Sequence, residues 1–249
     1  MFKKIVTVLL SAALLLSFAG CTQQDDIRGN ITPNPTTEAT SEATTEATTE
    51  ATNEPTTEPT TEPTTEPVAE PEFNIGSTTG NTYKNTFLGI QCTLDETWIF
   101  KTDEEMKAVN DTTMELVGDE YKEAMANASV VYDMMATHTN GMDSIGVVLE
   151  KLSGLNVLMT EQTYMDLSKD NAVNALASMG LTIQSAETFT VQLAGKDHVA
   201  LMIEADVGGY AIYECMVVVK CGGYMACITV CTWLENYCMD LLNQFQPCE

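Results

Sequence analysis

Cysteine, histidine and carboxylate are the side chains of this sequence suited to nucleophilic, basic or metal-ligating chemistry: eight cysteines, two histidines and 36 acids among 249 residues. Cys227 and Cys231 have the spacing of a metal or redox pair, but the apolar run around them reads as a strand. Four residues along a strand separate the two by roughly 13 Å, beyond the ~4–7 Å that a disulfide spans. With Cys92, Cys215, Cys221, Cys238 and Cys248 they make seven thiols beyond Cys21, an odd set that one chain cannot pair completely. Small apolar core side chains are the expected role, with one or two disulfides among Cys92, Cys221, Cys238 and Cys248 as the alternative. His138 and His198 fall at predicted strand ends beside turns, where an imidazole is usually solvated rather than a base or a ligand. The sequence has no His-Glu-x-x-His, no Gly-x-Ser-x-Gly, no phosphate-cradling glycine loop and no calcium loop. No catalytic residue, metal site or cofactor is therefore assigned. A hydrolase stays open through one carboxylate pair, Asp133 and Glu150 on adjacent predicted strands, which would have to lie about 5–10 Å apart in one cleft. Asp103, Glu104 and Glu105 need no metal, because a helix start favours acids through its dipole.

Cys21 points to a different chemistry, lipid attachment. Lys3 and Lys4 precede an apolar stretch from Ile5 to Leu16, too short to span a bilayer and suited to a secretory signal core. Ala19 and Gly20 keep bulk away from the cysteine, as a peptidase acting before a lipidated residue requires. The segment resembles the bacterial lipobox, with Phe18 where leucine is usual. The expectation is a signal peptide at residues 1–20 and a mature chain held by palmitate-type acyl chains on Cys21 to the outer face of the cell membrane. Cleavage near Ala19 and an uncleaved anchor are the alternatives.

Residues 21–72 follow as a stalk. From Thr32 to Glu72 the chain is almost wholly Thr, Glu, Ala and Pro, in units such as Thr44 to Ala47 and Thr56 to Pro59. It has no apolar surface to offset the entropy of ordering, and its glutamates repel while its prolines extend it, so disorder is expected. Some forty residues at about 3.1 Å each reach on the order of 100 Å, comparable to a cell-wall layer. The threonines also offer acceptors for O-glycosylation.

Charge divides the chain at the same place. Residues 1–72 carry three basic and twelve acidic side chains, and residues 73–249 carry eight lysines, no arginine and 24 acids, for net charges of −9 and −16. Without an arginine fork or a basic face, nucleic acid is excluded as a partner and anionic headgroups are poor ones. The acidity also serves solubility alone.

Residues 73–249 are long enough for a single domain with its own core. Thr102 with Glu105 forms a capping box that starts a helix, with Met106, Val109, Leu116, Val117, Tyr121 and Ala124 at helical spacing and Gly118 as a possible break. Thr160 caps a second helix with Met165, Ala172, Leu176 and Met179 on one face, ending at Gly180. A third is expected from Thr232, with a stripe of Leu234, Cys238, Leu241 and Phe245. Alternating patterns mark strands near 129–138 and 145–152, joined through Asn140 and Gly141, and a meander through Phe189–Leu193, Val199–Ala205, Ala211–Lys220 and Tyr224–Thr232 with glycine turns. The last two strands are apolar on both faces, so they should be central and covered on both sides. With a two-residue Gly222–Gly223 loop, Cys227 pairs with Val218 and Cys215 with Val230, which puts Cys215 on the opposite face. The fold class is α+β, a largely antiparallel sheet sandwiched by helices.

Tyr83, Asn85, Phe87, Gly89, Leu94 and Trp98 resemble the opening of exported domains of the Mog1/PsbP-like family, an α/β/α sandwich in which an early strand runs into a Pro-Glu-Gly-Trp turn. The element order over residues 80–247 is similar as well. Asp95 and Thr97 depart from that turn, replacing its Pro and Gly. The whole chain resembles stalked lipoproteins of Gram-positive gut anaerobes, a habitat that also suits an exported domain with many thiols and methionines. The resemblance implies a non-catalytic binding or assembly-accessory domain and carries over no catalytic residues. Expected partners are the membrane, through the lipid, and a cell-wall polymer, a peptide or a membrane-protein complex. Trp98, Tyr132, Tyr210 and Tyr224, aromatic and near turns, are the candidate binding surface.

Overall fold

Alternation broken by short turns is the pattern of the second half of the chain, and the computed structural model, which describes residues 72–110 and 127–248, bears it out. The expected signal peptide, the stalk up to residue 71 and the part of the first helix carrying Leu116, Val117, Tyr121 and Ala124 lie outside the described residues. In chain order the described elements are β1 (Ser77–Thr79), β2 (Thr82–Asn85), β3 (Ile90–Thr93), β4 (Trp98–Phe100), α1 (Asp103–Val109), β5 (Val130–His138), β6 (Ser144–Lys151), a 3-10 turn (Gly154–Leu158), α2 (Glu161–Ser178), β7 (Thr182–Leu193), β8 (Lys196–Val207), β9 (Tyr210–Cys221), β10 (Tyr224–Trp233), α3 (Cys238–Leu242) and β11 (Phe245–Pro247).

Seven strands form one antiparallel sheet in the order β4-β5-β6-β10-β9-β8-β7, which puts β10 at its centre with β9 beside it. The glycine turns set the register. Gly208 and Gly209, both at positive φ, reverse β8 into β9 with the twist that two-residue hairpins need. Across the Gly222–Gly223 turn, Cys227 faces Val218 and Cys215 faces Val230, as expected. The sheet's two faces are therefore distinct. Met216, Val218, Met225 and Cys227 meet Tyr164, Met165, Ala172 and Leu176 of α2, which Thr160 caps by accepting from the Thr163 amide. Each side chain so buried contributes about 1.5–3 kcal/mol.

The opposite face carries Cys215, Val217, Ala226, Ile228 and Val230. Helix α3 covers part of it through Cys238, Leu241 and Leu242, so helices do lie on both faces. What the sequence did not announce is that a second antiparallel sheet, β1-β2-β3-β11, covers the rest through Tyr83, Ile90, Cys92 and Phe245.

The expected third helix needs correcting at its start. Thr232 lies in β10 facing Tyr213, and its hydroxyl donates to Glu235 O at 2.9 Å instead of capping a helix. The chain leaves the strand at Leu234, whose N–H still donates to Ala211 O at 2.9 Å but whose φ of +69° turns the backbone away. The helix begins only at Cys238, and Phe245, assigned to its stripe, belongs to β11. Pairing with Cys92 outweighs helical spacing there. At the departure from the Pro-Glu-Gly-Trp turn, Asp95 substitutes for proline by another route: its carboxylate accepts from the Thr97 amide at 2.8 Å and from the Thr97 hydroxyl, and Trp98 N donates to Asp95 O.

Candidate functional site

A cleft of about 400 Å³ opens along the outer edge of β5, bounded by the chain from Asn74 to Thr78 on one side and by α1 on the other. Its origin is local. The Thr102 hydroxyl accepts from the Glu105 amide while the Glu105 carboxylate accepts from the Thr102 amide, and this capping box turns the chain into α1 immediately after β4. Strand β4 consequently pairs with β5 only at Ala136, Thr137 and His138. Among the described residues, the first half of β5 has no strand on that side.

Two groups occupy its edge instead. The Asn110 side chain behaves like a short piece of strand, its Oδ1 accepting from Tyr132 N at 2.8 Å and its Nδ2 donating to Tyr132 O at 2.9 Å. Lys101 N donates to Met135 O. Exposed edges invite further pairing, and such plugs restrict it.

Asp133 sits at a bulge in β5, between Tyr132 and Met134, where the register shifts. The extra residue carries its carboxylate toward the small sheet. Oδ1 accepts from Gly76 N at 2.7 Å, and Oδ2 accepts from Asn85 Nδ2 at 2.7 Å and from the Tyr83 hydroxyl. Burial pushes the Asp133 carboxyl upward, while the three donors pull it back without fully offsetting that. Burial, followed by the neighbouring Asp133 charge, holds Tyr83 well above the usual phenol range. Gly76 is required sterically, since a Cβ there would lie 2.3 Å from Tyr83 Cε2 and 2.8 Å from Asp133 Oδ2. The carboxylate thus fastens the segment that forms one wall of the cleft. Around this fastener the lining is soft and amphipathic: Met106, Met134, Met135 and Tyr132 are joined by Lys101 and Lys107. Methionines adapt to varied ligand shapes.

Of the four aromatic candidates, only Tyr132 lines the cleft. Trp98 is buried in β4, with its ring edge-on to His138 at 5.2 Å. Tyr224 is buried at the start of β10, stacked on Phe73 at 4.6 Å and edge-on to Phe87 at 5.4 Å. Tyr210 is exposed at the start of β9, the end of the sheet away from Tyr224. The four do not form one patch. The paired-carboxylate arrangement also fails: Asp133 faces the small sheet, while Glu150 faces α2 and accepts from the Tyr164 hydroxyl at 2.6 Å. Because a strand alternates its faces and the bulge shifts Asp133 by one residue, the two acids sit on opposite sides of the sheet.

His138 ends β5, and its Nδ1 accepts from Asn140 N at 3.2 Å. His198, in β8, is engaged rather than solvated: its Nδ1 lies 2.9 Å from Glu161 Oε1. The Glu161 carboxylate also accepts from the amides of Lys220 and Val199. Burial alone would raise this carboxyl, but these hydrogen bonds, led by His198, hold it below the usual range. No disulfide joins the seven cysteines of the described residues.

Sequence reasoning missed Gly76, Asn110, Met134, Met135 and Lys101. The one available signal was the break in alternation at Tyr132-Asp133-Met134-Met135, which a bulge explains. No family model matches this chain, and no curated protein matches it. Among solved structures, it is similar to the solution structure of cyanobacterial PsbP (CyanoP) from Synechocystis sp. PCC 6803, with a TM-score of 0.40 and 14% identity over 67% of this chain and 91% of that one. It is also similar to LpqN, involved in cell envelope biogenesis of Mycobacterium tuberculosis, with a TM-score of 0.39 and 12% identity over 64% of this chain and 83% of that one.

Proposed function

We propose that this chain is an exported lipoprotein, anchored through Cys21 and carrying on a stalk a non-catalytic domain that binds a partner in the cleft beside β5. The observation that carries this reading is the cleft itself. Its one acid of perturbed titration, Asp133, is saturated by Gly76, Tyr83 and Asn85 and serves as a fastener. The rest of the lining mixes apolar side chains such as Met106, Met134 and Met135 with Tyr132, Lys101, Lys107 and Asp103, which suits contact with an extended, amphipathic segment. A peptide or a strand of a membrane-protein complex fits that description, and a wall polymer is the other partner class.

The test is site-specific photocrosslinking in intact cells, with a photoreactive residue placed at Met135 and, as a control, at Tyr210. A discrete adduct from position 135 that is absent from position 210 supports the reading, and its mass and composition identify the partner class. Adducts from position 210 alone would move binding away from the cleft. Lipidation is tested separately: Cys21→Ser should abolish incorporation of labelled palmitate and release the protein from the membrane fraction, and retained label would refute the anchor.

A further inference from the structure

The seven thiols of the described domain are not equivalent. Cys92, Cys215, Cys227 and Cys238 are buried. Burial pushes Cys92 up to about 12 and Cys238 up to about 11, and it raises Cys215 and Cys231 as well. A thiol held protonated in this way is a poor nucleophile. Cys221, Cys231 and Cys248 are half-buried, and of these Cys221 and Cys248 are both directed at one turn. Cys221 Sγ donates to Phe87 O at 3.1 Å, and Cys248 Sγ donates to Ile90 O at 3.1 Å and to Asn85 O at 3.5 Å. Those carbonyls belong to the β2–β3 turn, whose ends Asn85 and Ile90 face each other. Cys248 is held in position by its amide, which donates to Gly89 O at 3.0 Å and prolongs the pairing of β11 with β3.

We propose that Cys221 and Cys248 are an oxidisable pair, and that an incoming disulfide, from a small thiol or an exported oxidoreductase, converts them into a bond that locks the C-terminal strand. The thiolate of one cysteine attacks a sulfur of the incoming disulfide, breaking its S–S bond, and half of the reagent leaves as a thiol. The second cysteine, as thiolate, attacks the mixed disulfide, forming the Cys221–Cys248 bond and releasing the other half. The two protein thiols lose two electrons and two protons, and the incoming disulfide is reduced to two thiols. Each sulfur first leaves its carbonyl acceptor by rotation about Cα–Cβ. The bond encircles β10, α3 and β11 and ties β11 to β9 as well as to β3.

The test incubates full-length protein from membranes with oxidised glutathione, then alkylates it in denaturant and maps its peptides by mass spectrometry without reduction. The expected result is one Cys221–Cys248 linked peptide, two fewer alkylated thiols and a Tm raised by about 5 °C or more. Cys248→Ser should instead retain glutathione on Cys221, and Cys221→Ser should retain it on Cys248. Separate glutathione adducts on the two cysteines of the unsubstituted protein, a bond between another pair, or no reaction at either overturns the proposal. Because the unsubstituted protein carries the decisive readout, the test stands even if a serine variant fails to fold.

Discussion

Two regions of this domain bury a carboxyl group in opposite ways. At the β5 bulge, Asp133 enters the interior facing three donors, two from β2 (Tyr83 and Asn85) and one from the chain before β1 (Gly76). On the helix-covered face of β9, Glu214 is 4% exposed, and burial alone pushes its carboxyl up to about 7 with no hydrogen bond pulling it back. Desolvation is common to both. The presence of donors makes the first a fastener and leaves the second a titrating group that opposes folding when ionised.

Removing the fastener should have the largest effect. In Asp133→Ala the Tyr83 hydroxyl and the Gly76 N–H lose their acceptor and the Asn85 amide keeps only a 3.5 Å contact to Asn74 O, and Tyr83 and Asn85 are fully buried. At about 1–3 kcal/mol for each stranded buried group, partly relieved by water entering the cleft, the loss should be about 4 kcal/mol. It is read from the urea midpoint, and a loss under about 1 kcal/mol would show that Asp133 does not hold the Asn74–Thr78 wall.

The same substitution logic has the opposite sign at Glu214. Its folded-state pKa lies above the unfolded one, so the folded state binds more protons between about pH 4.5 and 7 and stability falls as pH rises through that window. The advantage of Glu214→Gln over the parent should therefore grow by about 3 kcal/mol from pH 4 to pH 8. Parallel denaturation curves at the two pH values check it. An advantage that stays constant with pH would mean that Glu214 is not the titrating group.

How far these regions were legible in the sequence follows from what forms them. The meander of β7 to β10 was readable because long alternations and glycine turns act locally, and the Thr102 and Thr160 caps were readable for the same reason. The small sheet was not, since β1, β2, β3 and β11 run only three or four residues each. Strands that short carry no periodic signal and exist through pairing with distant chain, as Phe245 does with Cys92. The cleft inherits that opacity. Asp133 could be listed as an acid beside Glu150, but the bulge that turns it toward Tyr83 is a tertiary feature, and so is the approach that requires Gly76 to lack a side chain. Asn110 could be read as the polar end of a helix, whereas its use as a surrogate strand for Tyr132 depends on β4 ending early.

Glu161 extends the comparison to a carboxylate that has donors yet stays near the surface, with its side chain 19% exposed. Its pKa is depressed on folding, so its contribution is present above the unfolded carboxylate range and lost as pH falls through the folded value. Glu161→Gln should cost about 1.5 kcal/mol at neutral pH, as expected for weakening hydrogen bonds to a charged acceptor, and the deficit should shrink in acid. A deficit that persists unchanged at pH 3 would assign it to packing instead of charge.

The smallest effect isolates the role of a partner within one strand. Thr229 and Thr232 both lie in β10 and are 4% and 0% exposed. Among the described residues the Thr229 hydroxyl has no hydrogen-bond partner, while the Thr232 hydroxyl donates to Glu235 O at 2.9 Å. Valine has nearly the same shape as threonine and lacks the hydroxyl. Thr229→Val should therefore raise stability by about 1 kcal/mol, because a desolvated hydroxyl without compensation is removed. Thr232→Val should lower it by about 1 kcal/mol, because the Glu235 carbonyl loses its donor. The sign difference is the informative quantity, since β-propensity and volume change equally in both variants. If both substitutions moved the denaturation midpoint in the same direction, partner satisfaction would not be what separates the two kinds of buried polar group in this domain.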